Sequence, residues 1–208
     1  MRIKLLIFFI FSLFFSNINI LGDELDIISE KIKILNNGNI IQSLETEVFL
    51  KEKDIYIKGE KSLYDKIVQK IEFENNVFFE DKLKQIEVTT KKATYDQKNE
   101  VLKTLGETYI IIEKKYEISS KDITYDKKSQ NVYSKKETTI KDYDGNVYNI
   151  ENDFQLDLNK EIIKTKKINI IDSDNNIYIF ENARIDLVNK QILGKELKID
   201  FIDDYFGI

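Results

Sequence analysis

The chain has no cysteine and no histidine among its 208 residues. Disulfide stapling is therefore excluded. So are metal sites built on thiolate or imidazole, and the Ser-His-Asp and Cys-His nucleophile systems. Proline is also absent and glycine occurs only seven times, which leaves Asn and Asp as the main turn formers. Basic charge is not in excess either. The formal net charge is −5, so no strong positive field exists to displace counterions from a nucleic acid. Lysine pairs such as Lys91-Lys92 and Lys127-Lys128 sit beside acids and read as solvated faces.

What the chain does have is Ile, Val, Tyr, Phe and Thr, the residue types that suit a pleated, half-buried surface. Charged residues make up 33% and hydrophobic ones 42%, a globular rather than a disordered balance. The length suits one domain with a sizeable core. The expected class is all-β.

A repeat organises the sequence. Ile123-Thr124-Tyr125-Asp126 is echoed by Ala93-Thr94-Tyr95-Asp96 and Ser62-Leu63-Tyr64-Asp65 upstream. Downstream it is echoed by Phe154-Gln155-Leu156-Asp157 and Ala183-Arg184-Ile185-Asp186. The aspartates recur every 29 to 31 residues, the period of an array of supersecondary units. Each unit alternates apolar and polar residues up to Asp, the pattern of a half-buried strand ending at a turn. An apolar residue then returns seven positions after the Tyr-type residue, at Ile71, Leu102, Val132, Ile163 and Ile192. That return keeps one face of a hairpin inward.

Further strands are expected at Val77–Phe79, Tyr109–Ile112, Thr138–Ile140, Ile168–Ile171, Ile177–Phe180 and Leu197–Phe201. Asn37-Gly38 is expected to form a tight primed turn between Ile32–Leu35 and Ile40-Ile41. Ser62–Ile71 and Asp81–Val88 tolerate helix by composition, but neither sustains a helical stripe beyond two turns. The runs starting at Asp142 and Asp172 alternate oxygen ligands like a calcium loop. They lack the Gly and Glu that such a loop requires, so they read as hairpin turns. The five repeated aspartates likewise read as turn formers, since five copies of one role suit architecture rather than catalysis. The protein is expected not to be an enzyme and to need no cofactor.

Residues 1–22 have a basic start, an apolar run from Leu5 to Phe15 and a polar approach to Gly22-Asp23, the layout of a secretory signal peptide. Residues 23–208 are expected to form one domain outside the cytoplasm. The stretch Asp203–Ile208 offers no capping element and reads like a chain interrupted mid-protein.

Strands ending in Ala-x-Tyr-Asp or Ile-x-Tyr-Asp, a polar turn, a second strand and a ~30-residue repeat behind a signal peptide resemble the OstA-like domain of the lipopolysaccharide transport (Lpt) family. The resemblance covers about residues 27–202. Within the family the nearest look is the N-terminal periplasmic domain of the outer-membrane component, LptD, without its barrel; the periplasmic bridge component, LptA, comes next. The family's Gly after each repeat hairpin survives only at Gly106 and Gly194, and the cysteines of some LptD members are missing.

The resemblance implies a twisted antiparallel β-jellyroll open along one side. Its apolar interior would carry the acyl chains of lipopolysaccharide through the periplasm. Its terminal strands would pair edge to edge with other Lpt jellyrolls. The residues expected to contact acyl chains are the inward rows: Ala93, Tyr95 and Leu102; Ile123, Tyr125 and Val132; Phe154, Leu156 and Ile163; Ala183, Ile185 and Ile192. Two other readings stay open. One is a structural β-solenoid or scaffold whose interior is filled by its own side chains. The other is a carbohydrate-active β-helix enzyme, which needs a cluster of acids on one surface.

Overall fold

A computed structural model describes residues 25–200. The expected signal peptide and the stretch from Asp203 to Ile208 lie outside the described residues. Fifteen strands form one antiparallel sheet. The first six are β1 (Leu25–Leu35), β2 (Ile40–Leu50), β3 (Ile55–Asp65), β4 (Lys70–Asp81), β5 (Ile86–Asp96) and β6 (Val101–Ile112). Then come β7 (Tyr116–Lys121), β8 (Thr124–Asp126), β9 (Asn131–Ser134), β10 (Thr138–Asp142), β11 (Val147–Ile150) and β12 (Phe154–Asp157). The last three are β13 (Ile162–Ile171), β14 (Ile177–Asp186) and β15 (Gln191–Asp200).

The short strands are halves of long ones. Residues 107–112 of β6 pair with β7, while residues 101–103 pair with β8. Likewise β13 pairs with β11 through residues 168–171 and with β12 through residues 162–164. The sheet is thus a meander of long strands that each cross a bend. Two candidate helices, Ser62–Ile71 and Asp81–Val88, are strand and turn throughout.

Every repeat hairpin has the register that the apolar return requires. Tyr64 lies opposite Ile71, Tyr95 opposite Leu102, Tyr125 opposite Val132, Leu156 opposite Ile163 and Ile185 opposite Ile192. The five aspartates act as turn formers. Asp65 accepts the amides of Ile67 and Val68, Asp96 that of Asn99, Asp126 that of Ser129, Asp157 those of Asn159 and Lys160, and Asp186 that of Asn189. Asp142 and Asp172 do the same for the amides of Asn146 and Asn176. The fourth residue of each repeat turn is left-handed: Gln69, Glu100, Gln130, Glu161 and Lys190 have φ of 49° to 56°. A chain so poor in glycine has to put ordinary residues there, at a local cost of about 1–2 kcal/mol each.

The first hairpin has its strands and its positive φ at Asn37-Gly38 where expected, but its turn is wider. Leu35 pairs with Ile40, so the loop is the four residues Asn36–Asn39 rather than a two-residue primed turn. Asn36, Asn37 and Gly38 all have positive φ. Three consecutive residues tolerant of that region permit the wider turn.

The bend sits at mid-strand. Positive φ recurs there at Glu45, Asn75, Asn76, Gly106, Asp122, Asp153 and Asn182, and the ladders slip in register at Lys58/Lys61, Glu74/Val77 and Thr90/Lys92. Bulges of this kind bend a sheet sharply. How sharply is shown by Phe79 and Tyr95. Phe79 pairs with Val88, so on a flat sheet Tyr95, seven residues further along β5, would lie about 23 Å away. Their ring centroids are 5.9 Å apart. The sheet has folded onto itself along the line of bulges, giving a twisted β-jellyroll with one apolar core cluster between its two halves.

Buried Ser and Thr line the crease. Ser62 Oγ donates to Thr46, Thr108 Oγ1 donates to Thr104 and lies 3.2 Å from Thr90 Oγ1, and Ser120 bonds Thr138. Thr104 Oγ1 accepts the amide of Ile123 at the break between β7 and β8. A bulge frees ladder groups, and a short hydroxyl satisfies them without widening the crease.

Candidate functional site

The folded sheet has two turn margins. One carries the repeat turns: 66–69, 97–100, 127–130, 158–161 and 187–190. The other carries the turns 51–54, 82–85, 113–115, 143–146 and 172–176. Along the repeat margin the backbone ladder runs on through the turns. Gln97 N donates to Gln69 O, Lys127 N to Glu100 O, Leu158 N to Gln130 O and Leu187 N to Glu161 O.

Side chains tie one margin to the other. Lys53 Nζ donates to Gln97 O at 2.9 Å. Lys127 Nζ reaches Asp81 Oδ2 at 2.8 Å and Lys53 O at 2.7 Å. Tyr116 OH donates to Glu161 Oε2 at 2.9 Å. Lys190 Nζ meets Asp144 Oδ2 at 2.8 Å. Four of these five ties join residues 44 to 46 apart, one and a half repeats; the fifth, Lys127 to Lys53 O, spans 74. The halves therefore meet with a constant stagger, which makes the jellyroll a continuous coil with a seam.

Between the halves lie two facing apolar rows. The first contains the residues expected from the repeat. Eleven of the twelve are at most 3% exposed: Ala93, Tyr95, Leu102, Ile123, Tyr125, Val132, Phe154, Leu156, Ile163, Ala183 and Ile185. Ile192, on β15, is 36% exposed because β15 pairs only with β14 among the described residues. The second row was missed in the sequence. Phe79, Val88, Ile110, Ile118, Ile140, Tyr148 and Ile170 stand opposite one another on successive strands and are buried. The signal was present in the alternation Val77/Phe79, Ile86/Val88 and Ile110/Ile112, which continues the inward face beyond each bend.

The interior ends in a cleft of about 410 Å³ at the β14–β15 end. Ile170, Ile185, Leu187 and Ile192 make its apolar floor, with Tyr116, Tyr148 and Tyr178 around it. Lys115, Lys190, Asp142, Asp144 and Asp172 form a charged rim. Each tyrosine hydroxyl is held by a carboxylate: Tyr148 by Asp142 at 2.8 Å, Tyr178 by Asp172 at 3.1 Å and Tyr116 by Glu161 at 2.9 Å. Burial, and then the neighbouring carboxylate, pushes the Tyr116 and Tyr148 hydroxyls well above their ordinary range. They stay neutral donors, with their rings turned to the apolar side.

Of the twelve expected residues, Ile185 and Ile192 line this cleft. Tyr125 lies deeper, 6.1 Å from Phe79 ring to ring, and its hydroxyl donates to Asp81 Oδ2 at 2.8 Å. Among the described residues no group of three acidic side chains is placed to hold a metal ion, and no helix is long and apolar enough to cross a membrane. Of the rim acids, Asp142 and Asp172 are committed to turn amides and tyrosines, and Asp144 holds Lys190.

No protein-family model matches the chain, and no curated protein matches its sequence. Among solved structures it is similar to the crystal structure of LptH, the LptA homologous periplasmic component of the conserved lipopolysaccharide transport device from Pseudomonas aeruginosa. The identity is 9%, the match covers 86% of this chain and 93% of that chain, and the TM-score is 0.28. At that level of superposition nothing about ligand or partner carries over.

Proposed function

We propose that this protein binds the acyl chains of lipopolysaccharide in its jellyroll interior and passes them across the periplasm to a neighbouring jellyroll. The reading is supported by one arrangement above all. Two apolar rows run the length of the coil and emerge in a cleft bordered by the last strand, β15, whose outer edge carries no partner among the described residues. An apolar floor under a charged rim suits an amphiphile with a greasy tail and a polar head. The repeat motif, with its resemblance to the OstA-like domain, names the amphiphile.

Transfer then needs no covalent chemistry. Affinity comes from removing acyl surface from water, about 25 cal/mol per Å². Hand-over comes from joining two interiors end to end. Strand addition at a free sheet edge achieves this, since the edge amides and carbonyls template a further strand. Both terminal strands qualify: β1 pairs only with β2 and β15 only with β14 among the described residues. Exposed Ile28, Ile32 and Ile34 mark the first edge, and Leu193, Leu197 and Ile199 the other.

Photo-crosslinking residues at Tyr125, Leu156 and Ile192 test the reading in cells. Lipopolysaccharide adducts are expected at Ile192 first, because the other two are closed off at rest. Absence of adducts at all three positions rejects it.

A second reading is favoured by that same closure. With eleven of the twelve expected contact residues at most 3% exposed, the interior is filled by its own side chains, as in a structural β-scaffold. The two readings part on whether an acyl chain is taken up at all.

A further inference from the structure

The ties across the seam differ in burial along the coil. At its middle, Asp81 is fully buried and Lys127 is 11% exposed. Asp81 also accepts the Tyr125 hydroxyl and, through Oδ1, the amide of Lys84. Its neighbour Lys53 is 14% exposed and reaches Glu100 at 3.8 Å. At the far end Lys190 and Asp144 are 77% and 57% exposed, and both stand on the rim of the cleft.

We infer that the seam is a graded clasp: an acyl chain enters sideways where Lys190 and Asp144 part, and the Asp81–Lys127–Tyr125 cluster is the fixed stop that ends the opening. The inference rests on the acyl-carrier reading and adds to it where the interior opens and how far. An exposed ion pair is close to neutral energetically and is screened by salt. A buried carboxylate with a lysine and two further donors is costly to separate, because breaking it strands a charge out of water. Opening therefore starts at the exposed end.

The two margins differ only at the cleft end, since the margin facing the repeat turns is also zipped as far as Glu113, by Lys82 N to Asp54 O and Glu113 N to Gln85 O. The repeat margin is zipped turn to turn by backbone bonds up to Leu187. The turns facing it at the cleft are closed on themselves: Asp142 N bonds Asn146 O, and Asp172 N bonds Asn176 O. Their tyrosines, Tyr148 and Tyr178, are fastened to the same aspartates. Each such turn swings as a unit without opening its own hairpin.

The test is stopped-flow uptake of cis-parinaric acid, an acyl chain whose fluorescence rises on leaving water, by the full chain and three variants. K190E places like charges at the clasp and is expected to speed uptake and release by roughly two- to fivefold, the range spanned by a surface ion pair. K190E/D144K restores the pair and is expected to return the rates toward the original. K166E makes the same charge change at Asp153, where the pair is exposed and away from the cleft, and is expected to leave the rates alone. Added salt should speed the original chain and not K190E. Uptake that ignores K190E and salt overturns the clasp, as does an equal response to K166E. No uptake by any chain defeats the acyl-carrier reading itself.

Discussion

The Tyr125 hydroxyl donates to Asp81 Oδ2 at 2.8 Å across 44 residues of sequence. Lys127, two residues on, donates to the same oxygen at 2.8 Å. A strand end on one margin thus fixes a repeat hairpin on the other, and the carboxylate is fully buried. Replacing Asp81 by Ala leaves Lys127 without its carboxylate. The expected loss is about 3–5 kcal/mol, measured by urea unfolding. Tyr125→Phe removes one donor and leaves two, so a smaller loss of about 1–3 kcal/mol is expected. The double variant should lose less than the two separately, since they share one oxygen. Strict additivity would show that the three groups do not act as a cluster.

Alkali gives an independent reading of the interior. Burial first, and Asp81 next, push the Tyr125 hydroxyl far above its ordinary value near 10. Tyr116 and Tyr148 are raised by burial and then by Glu161 and Asp142. Because the folded chain holds these protons more tightly than the unfolded one, their contribution to stability is full below pH 10. It declines as pH rises above that value. Tyrosinate absorbance from these three should appear only together with loss of β-sheet circular dichroism. Single Tyr→Phe variants assign it. A Tyr125→Phe variant that lowers absorbance gained near pH 10 by the folded chain would contradict the burial.

Acid acts through the turns. Asp96 is pulled down from its usual range: burial opposes this, but the amide and side chain of Asn99 and the Lys70 ammonium outweigh it. Asp172 is lowered in the same way, against burial, by Asn176 and Tyr178. For a depressed carboxylate, stability is present above the unfolded value and is lost as pH falls through the folded one. Asp96→Ala should therefore cost about 1 kcal/mol near neutrality and flatten the acid limb of a melting-temperature profile. A variant with an unchanged acid limb would remove Asp96 from the account.

Gly194 is required by packing rather than by its backbone. A Cβ there would stand 2.8 Å from Phe180 Cδ1 and 3.1 Å from its Cβ. Phe180, on the neighbouring β14, is buried. Gly194→Ala forces the ring or the strand to move, so amide exchange across β15 should accelerate while β3–β5 stays protected. Uniform acceleration through the sheet would mean that β15 is not an independent unit.

The hairpins were legible because one residue type did one job five times. The Tyr-type residue, the Asp and the apolar return seven places on fix register locally, and Tyr125 opposite Val132 follows directly. The fold-over was not legible. Nothing in Thr104, Thr108 or Ser120 announces a crease, since a hydroxyl in a strand reads as an outward position until the bulge beside it is known. The seam was hidden for a different reason: Asp81 and Lys127 are 46 residues apart, one and a half repeats, so they never occupy equivalent places in two units. The wide first turn shows the limit of a dipeptide signal, for Asn36 extends what Asn37-Gly38 begins.

The free edges give the last expectation. β15 is exposed along its whole length, with Leu193 and Leu197 outward; against pairing stands a single irregular position, Glu196 at φ 52°. An exposed apolar edge recruits a further strand unless charge or a bulge prevents it. The chain should therefore associate end to end at high concentration, β15 against β1 of the next copy, a heterologous contact that adds units without closing. Sedimentation velocity over a concentration series would show a steadily rising coefficient. Leu193→Lys together with Leu197→Lys should hold the chain as a monomer while leaving its melting temperature within a few degrees, because β15 contributes little to the core. If the lysine variant still associates, the joining surface lies elsewhere. If it unfolds instead, β15 belongs to the core and cannot be an adaptor.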